Sequence, residues 1–124
     1  MRFLGLLPVE QMPRLFSVAR ASIVPLLDSP LFESARPSKI LPSLACETPV
    51  IYCGRGEMAN LINRKRCGLV VSPQQPDELA TAVLRLADDP LLAKDLGRAG
   101  REVAQTEYGW PLIVARLLAS LHQT

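Results

Sequence analysis

Four residues suited to phosphate chemistry lie close together in this sequence. Glu33, Ser34, Ser38 and Lys39 fall in the stretch LLDSPLFESARPSKILPSLACETPVIY. They follow an apolar run, SIVPLL, and precede or open a helical pattern. A helix start offers unpaired N–H groups and a partial positive charge, which suits a phosphate. Ser38 would cap that helix and Lys39 would add a point charge. An ordinary N-cap serine beside a solvent-facing lysine explains the same two residues, and local evidence favours that plainer reading. Gly54-Arg55-Gly56 is a second candidate, with Arg55 in reach of a diphosphate. It reads at least as well as a structural turn, and no full G-x-G-x-x-G accompanies it.

Other chemistry finds little footing. Cys46, Cys53 and Cys67 form no C-x-x-C pair and are odd in number, against a disulfide framework or a zinc site. No metal and no cofactor are expected, and a reducing cytoplasm fits the cysteines. The only histidine, His122, stands two residues from the C-terminus. A formal net charge of +2 is too small to imply nucleic acid or an anionic membrane as a partner. The apolar start MRFLGLL is soon broken by Pro8, too short for a signal peptide or a transmembrane segment.

The elements that would position these residues alternate. Strands are expected over Arg2 to Gly5, Ser22 to Leu26, Pro49 to Cys53 and Cys67 to Val71, where β-branched and apolar residues gather. Helical patterns fill Met12 to Ala21, Ser38 to Glu47 and Glu57 to Asn63. Pro76 and Pro90 each open a helix, the first with Asp77 and Glu78 in its opening turn. Leu79, Val83, Leu86 and Ala87 are its expected buried stripe; Leu92, Leu96, Ala99 and Val103 serve the next. Pro111 opens a last helix, with Leu112, Ala115, Leu118 and Leu121 expected to face inward. Strands separated by helices pair in parallel through crossovers. The fold class is therefore α/β: a partial Rossmann-like parallel sheet of about four strands, with flanking helices and a helical C-terminus. Such sheets bind ligands at the carboxyl ends of their strands. All 124 residues read as a single, incomplete domain.

The order of pieces resembles the C-terminal domain of the family 4 glycosyltransferases with the GT-B fold. The resemblance rests on Phe3-Leu4-Gly5, Ile23-Val24-Pro25, the loop with Glu33, Thr48-Pro49-Val50-Ile51 and Gly56-Glu57. It continues through Cys67-Gly68-Leu69-Val70-Val71, Asp77-Glu78-Leu79-Ala80 and Tyr108-Gly109-Trp110. Pro37-Ser38-Lys39 is similar to a subgroup in which this tripeptide opens the helix. The resemblance implies a nucleotide diphosphate sugar as partner, with Glu33 or Ser34 at the sugar hydroxyls and Gly5, Leu6 and Leu7 near the base. It implies that Ser38, Lys39 and Arg55 help to stabilise the leaving diphosphate.

Two departures bear on that expectation. The family commonly carries two glutamates eight positions apart, and counting back from Pro49-Val50-Ile51 puts those places at Ser34 and Pro42. The ribose carboxylate is thus replaced by Pro42. A proline beyond a helix's first turn costs about 3 kcal/mol or more, so the helix should start late or be distorted. The acceptor domain and the basic pair that binds the pyrophosphate also have no counterpart here. The resemblance therefore implies a truncated chain, inactive alone, with Arg2 to Gly5 deprived of its natural neighbours. The missing half would come from a partner chain, or the chain would self-associate. A non-catalytic truncated or split-gene product and a small nucleotide-binding module are the alternatives.

Overall fold

The computed structural model describes residues 2–34, 38 and 40–122. Helix α1 (Met12–Val18) follows a 3-10 turn at Val9–Gln11; β1 (Ser22–Pro25), a 3-10 turn at Pro30–Phe32, α2 (Ile40–Ala45) and β2 (Val50–Cys53) come next. Then follow α3 (Glu57–Lys65), β3 (Gly68–Val71), α4 (Pro76–Asp88), α5 (Pro90–Glu107) and α6 (Trp110–His122). The strands form one parallel sheet in the order β1-β2-β3, with Val24 opposite Tyr52 and Tyr52 opposite Val70. The α/β class and the helical C-terminus agree with expectation.

The central strand β2 is buried throughout, and its alternating side chains supply two cores. Val50 and Tyr52 join Val24, Ile40, Leu44, Met58 and Ile62 on one face. Ile51 and Cys53 join Ala82, Leu86, Ala93 and Leu96 on the other. Helix α5 serves both layers, since Ala93 and Leu96 pack in the second core and Val103 in the first. Asp89 ends α4 and caps α5, its carboxylate accepting from the N–H of Leu92 at 3.0 Å. Pro42 is the third residue of α2. That late start keeps the proline in the first turn, where its missing N–H has no helical partner to lose. Glu47 ends the segment with a left-handed backbone, φ 59°.

The structure corrects several expectations. Arg2 to Gly5 form no strand, so the described sheet has three strands rather than about four. Phe3 and Leu6 are 87% and 103% exposed, and without a neighbouring strand the segment has no ladder hydrogen bonds to offset the entropy of holding it extended. The inner stripe of α4 is Leu79, Ala82 and Leu86, while Val83 and Ala87 face solvent. On α6, Ala115, Leu118 and Leu121 are exposed instead of inward, because the helix touches the domain mainly along α5. Its apolar residues are spread too evenly around the axis to select one face.

Candidate functional site

At the carboxyl end of the sheet, three loops are tied together by polar contacts. Beyond β1, the N–H of Leu26 still donates to the carbonyl of Cys53 at 3.0 Å, carrying the pairing one residue past the strand. The chain then turns through Asp28 and Ser29, whose Oγ accepts from the N–H of Leu31 at 3.3 Å and caps the turn Pro30–Phe32. The N–H of Asp28 donates to Oε1 of Gln74, beyond β3, at 3.0 Å. Arg55, beyond β2, sets Nε 3.4 Å from Oδ1 of Asp28. Finally, the N–H of Glu57 at the start of α3 donates to the carbonyl of Glu33 at 2.9 Å.

Glycine is required at the last of these contacts. Gly56 has φ +90°, and a Cβ there would stand 1.9 Å from the carbonyl oxygen of Glu33. Only glycine allows that turn and that approach together. Beneath the loops lies a cavity of about 10 Å³, bounded by Leu26, Asp28, Phe32, Glu33, Gly54 and Arg55. It has room for about one water molecule.

Glu33, Ser34 and Ser38 are all exposed, Glu33 and Ser34 in the turn above β1 and Ser38 just ahead of α2. Lys39 lies outside the described residues. Arg55 is a little over half exposed and paired with Asp28. Gly5, Leu6 and Leu7 belong to the irregular segment before α1. Gly5 has φ +72° with open space about it, Leu6 is fully exposed and Leu7 half-buried. The structure thus brings Glu33 and Arg55 to one edge.

Asp28 and Gln74 were missed by the sequence reading. The signal for Asp28 was its place three residues past a strand, before Ser-Pro; Gln74 carries none. Burial pushes the Tyr52 phenol and the Cys53 thiol up from their ordinary values, so both are neutral near pH 7. Wider clefts lie elsewhere. One of about 430 Å³ separates α3 from α6, lined by Asn60, Arg64, Tyr108 and Arg116. Another of about 500 Å³ follows the outer edge of β3 beside α4. Neither is knit from several strand-end loops, so the tighter carboxyl edge is the better candidate.

With this geometry in hand, similarity to known proteins is informative. The family of glycosyl transferases group 1 matches residues 1–89. The chain is 34% identical over 116 residues to a D-inositol 3-phosphate glycosyltransferase of Pseudarthrobacter chlorophenolicus, covering 94% of this chain and 27% of that protein. It is 30% identical over 107 residues to a 2-deoxystreptamine glucosyltransferase of Streptomyces kanamyceticus, covering 86% of this chain and 26% of that protein. Among solved structures, sucrose-phosphate synthase from Thermosynechococcus elongatus superposes with a TM-score of 0.83 at 30% identity, over 98% of this chain and 29% of that one. The chain belongs to the group 1 glycosyl transferases, and its fold is that of the C-terminal domain of a GT-B enzyme. It spans about a quarter of the length of the curated relatives it matches. No helix among the described residues is long and apolar enough to cross a membrane.

Proposed function

We propose that this chain contributes the nucleotide-sugar donor site for transfer of a sugar to an acceptor. The observation that carries the reading is the convergence of Glu33, Asp28 and Arg55 at the carboxyl ends of β1 and β2, in a chain of this family. In this account Glu33 or Ser34 holds the sugar hydroxyls. Ser38, Lys39 and Arg55 oppose the charge that develops on the leaving diphosphate, the largest electrostatic demand of such a transfer. Gly5 to Leu7 lie against the base. The acceptor side belongs to chain beyond these residues, so no turnover is expected from them alone. Three free cysteines, two of them buried, support a cytoplasmic setting.

Calorimetric titration tests this reading. UDP, GDP and ADP are compared with the corresponding diphosphate sugars. Binding of one diphosphate, tightened by its sugar, supports the donor-site account. Binding without any gain from the sugar supports a plain nucleotide-binding module, and no binding removes both.

A second reading is favoured by a separate observation. The outer edge of β1 is unpaired among the described residues, and Ile23, Val114, Leu117 and Leu118 are between 45% and 58% exposed. Such surface calls for a neighbour, either a chain completing the transferase or a second copy. Sedimentation of the protein across a concentration range tests it; a monomer at every concentration counts against self-association.

A further inference from the structure

Tyr52 sits in the middle of the central strand and is fully buried, 0% exposed. Its hydroxyl is a buried side-chain oxygen with no hydrogen-bond partner among the described residues. An unpaired buried hydroxyl carries its whole desolvation penalty. Phenylalanine would fill the same space without it, so the sequence retains an oxygen that the surrounding fold does not use.

The ring's direction says where that oxygen is offered. A Cβ built on Gly54 would stand 2.8 Å from Cε1, 3.0 Å from Cζ and 3.2 Å from the hydroxyl of Tyr52. The ring therefore leans along β2 toward the carboxyl end and ends beside Gly54, the residue before Arg55. It does so on the face shared with Ile40 of α2 and Met58 of α3, whose N-terminal ends open at the same edge. The phenol, with an ordinary value of 10.0 that burial raises further, is protonated and a hydrogen-bond donor at neutral pH.

We infer that the Tyr52 hydroxyl is a binding group for a phosphate oxygen of the nucleoside diphosphate, engaged when the Gly54–Gly56 turn shifts around the bound donor. This rests on the donor-site reading above. A phosphate oxygen is an acceptor only, and it complements both the phenol and the neighbouring Arg55 cation. A bond made only with the donor present accounts for an oxygen otherwise unused.

The test compares wild type with Tyr52→Phe, by titration with UDP, GDP and ADP and by urea unfolding without nucleotide. The variant is expected to unfold at the same or higher urea concentration and to bind the preferred diphosphate about 10-fold more weakly. Equal affinity in the two proteins overturns the inference while leaving the donor site standing. A lower urea midpoint for Tyr52→Phe also overturns it, because the hydroxyl would then be bonded within the fold. Failure of wild type to bind any of the three diphosphates removes the donor-site reading and this inference with it.

Discussion

The carbonyl of Glu33 accepts a hydrogen bond from the N–H of Glu57 at 2.9 Å, across a glycine whose missing Cβ leaves the space for it. The loop that follows β1 is thus fastened to the helix that follows β2. One consequence is a large penalty at Gly56. Alanine there meets both a backbone conformation reserved for glycine and a collision with backbone, the two together worth about 3 kcal/mol or more. Gly56→Ala should lower the unfolding free energy obtained from urea titration by that amount, with a correspondingly lower midpoint, and also weaken nucleoside diphosphate binding. Unchanged stability would mean that the two loops are not joined as described.

Gly97 sets two effects against each other. Within α5, alanine is favoured over glycine by about 1 kcal/mol. A Cβ at Gly97, however, would stand 2.1 Å from the carbonyl oxygen of Glu47, which is backbone and cannot swing aside. Overpacking of this kind costs about 1–3 kcal/mol or more. Gly97→Ala should be net destabilising in urea unfolding, whereas Gly109→Ala, with its nearest atom at 3.1 Å, should cost less.

Arg55 and Asp28 separate stability from binding. Their ion pair is exposed on both sides and contributes about 0–1 kcal/mol. Arg55→Gln should therefore leave the urea midpoint nearly unchanged. It should weaken diphosphate binding several-fold, and the difference from wild type should shrink as salt rises. Asp28→Asn, which frees the guanidinium, should strengthen binding. Affinities that ignore both substitutions would exclude Arg55 from the site.

Three buried acids set the alkaline limit. Burial raises Cys53, Cys67 and Tyr52, with the charge of Glu107 adding to the rise at Cys67 and a backbone hydrogen bond opposing it. Their ordinary values are 9.0 for the thiols and 10.0 for the phenol. Above those values the unfolded chain releases protons that the folded chain retains, so stability falls with rising pH. Below about pH 8 these groups are protonated in both states and contribute no slope. Urea midpoints between pH 7 and 10.5 should be flat and then decline.

The sequence carried much of this fold because proline and acidic residues mark helix starts chemically. Asp89-Pro90 and Pro76-Asp77-Glu78 announce α5 and α4, and Val50 to Cys53 is too β-branched and apolar to be anything but an inner strand. Arg2 to Gly5 failed because a strand's existence depends on its neighbours, which local pattern does not contain. For α6, nearly uniform apolarity concealed which side would meet the domain. In the site, Glu33 and Arg55 were visible as charges beside breakers. The link from Arg55 through Asp28 to Gln74 depends on loops up to 46 residues apart, beyond the reach of any local motif.

The most direct measurement is a map of backbone amide shifts on adding the preferred nucleoside diphosphate. The account predicts the largest changes at Leu26 to Ser34, Ser38 and Gly54 to Gly56, around the carboxyl ends of β1 and β2. Changes concentrated instead at Asn60, Arg64 and Arg116, in the cleft between α3 and α6, would contradict it.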